Sequence, residues 1–176
     1  MVGLPGSGKT TLAKRVIAKF PFLNYVSGDM LRDFLVKSIV YFHDAVCSHI
    51  NQKFNSINRI VNAYRESLVA ELLQAGESVL IDRTNFTTEK RKEFIDVAKN
   101  INASVVVAII YAKADDDTFE SRLLEREQKN VGTRWREAHQ ERSDNFEEPL
   151  ASEADNFFTY TQDNEEEILD ALKQLL

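Results

Sequence analysis

Apolar positions along the chain keep two rhythms, one helical and one of short continuous runs. Leu12, Val16, Ile17 and Phe20 share one face of a helix expected over residues 10–20, and Pro21 stops it. Asn24–Ser27 reads as a short strand, with Gly28 and Asp29 in a loop at its C-terminal end. A helical pattern runs from Met30 to Ala75, with a break expected near Asn51–Asn58 and Gly76 as a C-terminal cap.

Two apolar runs follow, Ser78–Asp82 and Val105–Tyr111, each expected to be a strand buried on both faces. Between them, Thr87 or Thr88 caps a helix reaching about Lys99, and Asp115 to about Lys129 forms another. Asn156–Tyr160 supplies a last strand before a C-terminal helix. Strands alternating with helices imply crossover units, a parallel sheet, and ligand binding beyond the carboxyl ends of the strands. Gly3–Thr10, Asp29 and Asp82 all fall there. Only Met1 and Val2 precede Gly3, where such a loop calls for a strand of about five residues.

Composition narrows the class. A length of 176 residues suits one domain, 1–176, and 43% hydrophobic with 28% charged residues suits a folded globular chain rather than a disordered one. A net charge of -6 gives no global basic field, so any polyanion must meet a local basic patch. Cys47 is the only cysteine, so no internal disulfide is expected, and no charged segment leads an apolar one as in a secretory signal. No apolar run approaches the roughly 20 residues that span a bilayer. A cytoplasmic setting away from membranes, with no obligate protein partner inferable, is the expectation.

The chemistry starts with Gly3-Leu4-Pro5-Gly6-Ser7-Gly8-Lys9-Thr10, followed by Thr11. Glycines at these spacings let backbone N–H groups turn inward around phosphates, and the helix that follows adds its N-terminal dipole. Lys9 reaches the outer phosphates and Thr10 offers a hydroxyl to Mg²⁺. Asp29 would enter the same crevice, where a carboxylate can accept an alcohol's proton, with Arg32 three residues on; the alternative is a helix cap. Asp82 ends a buried strand, so its charge calls for a metal or Lys9 beside it. Arg83, Thr84 and Asn85 continue the rim, where Arg83 and Asn85 would hold polar groups of a substrate; the alternative is a plain turn.

Arg122 and Arg126 lie four apart on one expected helix face and suit a lid closing over phosphates; the alternative is a solvated helix paired with Glu125 and Glu127. His43, His49 and His139 lack metal-ligand spacing, and Cys47 reads as a small buried residue. Phe34, Tyr41, Phe42 and Phe54 read as core rather than as base-stacking residues.

Together, Gly3–Thr11, Gly28-Asp29-x-x-Arg32, Val79-Leu80-Ile81-Asp82-x-Thr84-Asn85 and the Arg122/Arg126 helix resemble the polynucleotide kinase-like branch of P-loop kinases. The resemblance implies a three-layer α/β P-loop NTPase fold: a parallel five-stranded sheet, order 2-3-1-4-5, with helices on both faces and a helical lid. It implies ATP and Mg²⁺, Asp29 as general base on a 5′-hydroxyl, and Arg32 positioning the acceptor and its neighbouring phosphate. It places Asp82 near the loop lysine and acceptor site, and Arg122 or Arg126 on the transferring phosphate. Thr10 and Asp82 are thus the expected metal residues, and Lys9, Asp29 and a lid arginine the expected catalytic ones. A nucleic-acid 5′ end is the favoured acceptor. Gluconate kinases, zeta toxins and antibiotic phosphotransferases, which act on small molecules, share the loop, and a nucleotide-dependent binding module without transferase activity is the third reading.

Overall fold

The computed structural model describes residues 1–40, 50–113, 120–122, 124–125, 128 and 135–176, with side chains described outside 36–57 and 135–138. Helix α1, Lys9–Lys19, leads to strand β1, Asn24–Ser27. Helices α2, Gly28–Val40, and α3, Ile50–Gln74, precede β2, Val79–Asp82. Helix α4, Thr88–Ile101, β3, Ala108–Ala112, α5, Trp135–Asp144, β4, Asn156–Tyr160, and α6, Glu165–Leu175, complete the named elements.

β1 and β2 pair in parallel with Ser27 opposite Asp82, and β3 and β4 pair in parallel with Ala108 opposite Asn156. Residues 1–3 touch both pairs. The Met1 nitrogen donates to the Ile81 carbonyl at 3.0 Å and Gly3 N to Thr84 O at 3.1 Å, on the β2 side. On the other side Val2 N donates to Ile110 O and Ala112 N to Val2 O, both at 2.8 Å. The described residues thus form two two-stranded parallel sheets and one Val2–Tyr111 bridge, and the expected five-stranded order is not shown as one ladder.

Helices cover both faces. Leu12, Ala13 and Val16 of α1 are fully buried with Leu80, Ile110, Tyr160 and the Ile168, Leu169 and Leu172 face of α6. On the other side Val26, Val69 of α3 and Phe94 of α4 pack with Val79 and Ile81. Strand alternation explains the split, since Leu80 points one way and its neighbours Val79 and Ile81 the other. Each such fully buried aliphatic side chain contributes roughly 1.5–3 kcal/mol of transfer free energy.

Several expectations are realised locally. Thr87 caps α4 by accepting from Lys90 N at 3.3 Å. Gly76, at φ 80°, ends α3: Gly76 N donates to Leu73 O and Glu77 N to Leu72 O, the paired bonds of a left-handed C-terminal cap. Three expectations need correction. α3 runs through Asn51–Asn58 without a break, although Asn and Ser have only a weak helix preference. Gly28 and Asp29 open α2 rather than a loop. The β3 ladder begins at Ala108 rather than Val105, whose N–H is taken by Asn102 in a turn. The polar stretch 125–149 also contributes a helix, α5, that its apolar pattern did not suggest. Residues 41–49, with Tyr41, Phe42, His43, Cys47 and His49, lie outside the described residues.

Candidate active site

The glycines of the loop take backbone shapes that side chains rarely tolerate. Gly3, Gly6 and Gly8 have φ of 142°, 94° and 95°. A Cβ at Gly3 would stand 2.5 Å from the Ala112 carbonyl, so this position is closed to any other residue. Gly8 is also the N-cap of α1 and supplies no side-chain cap, leaving the first N–H groups of the helix for an anion.

Lys9 is 8% exposed and lies against the loop itself, donating from Nζ to Leu4 O at 2.6 Å and Ser7 Oγ at 3.2 Å. Arg122 reaches the same loop from 116 residues away, with Nη1 donating to Gly6 O at 2.8 Å. Its guanidinium lies beside Gly8, as does the Tyr160 ring. Arg126 lies outside the described residues.

Asp82 joins the loop to the end of β2. Its Oδ2 accepts from Thr10 Oγ1 at 2.8 Å and from the Tyr25 hydroxyl at 2.7 Å. Burial, helped by the Asp82 carboxylate, pushes the Tyr25 phenol well above its ordinary range, so Tyr25 remains a neutral donor. Tyr25 carried no motif; one position before Val26 in a strand, it reads as packing.

Asp29 stands on the neighbouring strand end, two residues past Ser27, which is opposite Asp82. Its side chain is 88% exposed and accepts from Arg32 Nη1 at 2.6 Å. Met30 N donates to Ser27 Oγ at 3.4 Å, so the capping bond at this helix start goes to Ser27. Arg32 also donates from Nε to Asn58 Oδ1 at 2.8 Å. Arg83 follows Asp82 and sits 3.8 Å from Glu93; burial lowers its pKa, with Glu93 opposing.

Asn85 turns inward instead of lining the rim. It adopts φ 46° while buried, and its Nδ2 donates to the Met1 carbonyl at 3.0 Å. Its own carbonyl accepts from Arg91, whose remaining donors go to Glu153, Thr88 and the Glu147 carbonyl. Thr11, next along α1, is exposed.

The donors fit the groups that the sequence implies. The positive-φ glycine cradle, uncapped helix start and Lys9 suit a nucleotide's phosphates. Thr10 Oγ1 and Asp82 Oδ2 are hard oxygens at one point, suited to Mg²⁺, which needs few protein ligands and keeps its waters. Among the described residues no cluster of three or more His, Cys, Asp or Glu could hold a metal ion by itself, and no helix is long and apolar enough to cross a membrane.

The chain is 26% identical over 129 residues to L-seryl-tRNA(Sec) kinase of Methanococcus maripaludis, covering 73% of this chain and 46% of that protein. It thus spans about half the length of that relative. It is 24% identical over 162 residues to adenylate kinase isoenzyme 1 of Cyprinus carpio, covering 92% of this chain and 75% of that protein. A crystal structure of a candidate kinase from Chloroflexus aurantiacus superposes with a TM-score of 0.75 at 18% identity, covering 98% of this chain and 91% of that one, which shows a shared P-loop kinase-like α/β fold. A family profile described as AAA domain matches residues 1–149, and the chain therefore belongs to that family of P-loop proteins.

Proposed function

We propose that the protein is an ATP-dependent kinase that transfers the γ-phosphoryl group to a hydroxyl acceptor, favouring a polynucleotide 5′-hydroxyl. The observation that carries this reading is the placement of Asp29 one strand over from the Thr10–Asp82 couple, with helix capping taken by Ser27. Two relatives whose names are kinases, one of them of a charged tRNA, support the transferase class and a nucleic-acid acceptor.

In the proposed reaction the acceptor oxygen forms a bond to the γ-phosphorus, and the bond from that phosphorus to the β–γ bridging oxygen breaks, releasing ADP. The acceptor proton passes to the Asp29 carboxylate. Lys9 and Arg122 stabilise charge on the phosphoryl oxygens, with Arg126 as the alternative lid residue. Leu4, Pro5, Gly6, Ser7, Gly8 and Thr11 complete the nucleotide loop around Gly3. Arg32 and Arg83 orient the acceptor, while Asn85 supports the loop behind them. Mg²⁺, held by Thr10 and Asp82, would supply positive charge to the phosphates. Residues 1–3, hydrogen-bonded on both sides, would complete a sheet in the order 2-3-1-4-5.

A labelled-ATP assay on short 5′-hydroxyl RNA and DNA, beside AMP and a metabolite panel, tests the acceptor. Label on the oligonucleotide 5′ ends is expected. Label confined to metabolites or AMP would sink the polynucleotide reading and favour a small-molecule kinase, consistent with the acidic net charge. Asp29→Asn should lower kcat about 10²–10⁴-fold with ATP affinity kept. Unchanged turnover would refute the base assignment, whereas label on no acceptor at all would favour a nucleotide-dependent binding module.

A further inference from the structure

We propose that Arg65 and Arg83 form an oxyanion subsite that seats a phosphate or carboxylate group of the acceptor molecule. Arg65, on α3, is 2% exposed and carried no signal in the sequence, where it sits among helical polar residues. Its Nη2 donates to Asn62 Oδ1 at 3.0 Å and its guanidinium lies 5.4 Å from the centroid of the Phe94 ring. Among the described residues its Nε, a buried atom, has no hydrogen-bond partner, and neither has Nη1 of Arg83.

Position ties both groups to the acceptor side. Arg65 Nη1 is 2.8 Å from the point a Cβ at Gly28 would occupy. Gly28 and Arg83 each follow the register-paired residues Ser27 and Asp82, so both guanidiniums stand at the carboxyl ends of adjacent parallel strands. Arg32, paired with Asp29, is near enough for its charge to act on both, whereas Lys9 and Arg122 serve the nucleotide loop. Burial first, then the Arg83 charge, pushes the Arg65 pKa down to about 10, so it stays cationic at neutral pH. Glu66 and Glu93 face the pair, yet among the described residues Arg65 has no ion-pair partner and the Arg83–Glu93 separation is a long 3.8 Å. One buried and one partly exposed like charge, each with a vacant donor among the described residues, suit an oxyanion, whose oxygens match the guanidinium fork.

The inference rests on the proposed transfer to a hydroxyl, and its test separates the two. Acceptors are compared in matched pairs: thymidine 3′-phosphate against thymidine for a phosphodiester source, gluconate against glucose for a carboxylate source. Wild type should favour the anionic member of one pair, and Arg65→Met or Arg83→Gln should reduce that selectivity about tenfold. Arg83→Gln, at the partly exposed arginine, keeps the test available if Arg65→Met does not fold. In parallel, with the loop filled by a non-hydrolysable ATP analogue, inorganic phosphate should raise the unfolding temperature of wild type and not of the variants. Equal use of charged and neutral acceptors would overturn the subsite while leaving the kinase standing. No transfer to any acceptor, together with a phosphate shift that depends on Arg65 and Arg83, would keep the subsite and remove the hydroxyl-kinase reading. A phosphate shift equal in wild type and variants overturns the subsite.

Discussion

Two arginines are almost wholly buried, and they are buried in opposite ways. Arg91, 3% exposed, has every donor in use: its Nε and Nη2 grip both oxygens of Glu153 at 2.6 and 2.9 Å, and the rest go to Thr88 and two carbonyls. Arg65 has one amide and one aromatic face, and a vacant Nε. Removing a guanidinium from water is costly in either case, so the surroundings decide what the residue is for. Arg91 ties α4 to the segment before β4 and holds the Asn85 turn behind the loop. Arg65 has no comparable set of bonds among the described residues, and it stands beside Gly28 at the start of α2.

The two positions should therefore respond differently to the same change. Arg91→Met should cost about 3–5 kcal/mol of unfolding free energy in a denaturant titration, because the mostly buried Glu153 is left uncompensated. Arg65→Met should leave stability within about 1 kcal/mol, or raise it, since an incompletely paired charge is exchanged for an apolar chain. A loss at Arg65 as large as at Arg91 would break the contrast. Phe94→Leu should cost about 1 kcal/mol through packing and loosen Arg65, raising the acceptor KM a few-fold in steady-state kinetics.

The smallest effect is in pH. The Arg91 hydrogen bonds hold the Glu153 carboxyl below its ordinary value of 4.5. A depressed folded pKa contributes stability above the unfolded value and loses it as pH falls below about 4.5 through the folded one. Glu153→Gln should flatten the acid limb of a stability-against-pH curve, and an unchanged limb would mean other carboxylates set it.

How much of this was legible in the sequence depended on distance along the chain. The strand over Asn24–Ser27 and the apolar run ending at Asp82 were read within a residue, because each rests on its own apolar pattern and its neighbouring Gly or Pro. The break expected at Asn51–Asn58 is absent from α3, because the weak helix propensity of Asn and Ser does not by itself end a helix. Asn85 was read as a rim residue, and its inward turn depends on Met1, 84 positions away.

The sequence by itself determined the nucleotide loop, since Gly3, Gly6, Gly8, Lys9 and Thr10 lie within eight consecutive residues and their spacing is legible without any distant partner. It also placed Asp29 and Asp82 at strand ends, because a parallel sheet puts those ends on one edge. Only the tertiary structure decided that Tyr25 donates to Asp82, that Arg122 covers the loop, and that Arg65 and Arg91, alike as charges on helices, have different tasks. Burial and pairing arise from contacts between segments far apart in the chain, which no local pattern of residues encodes.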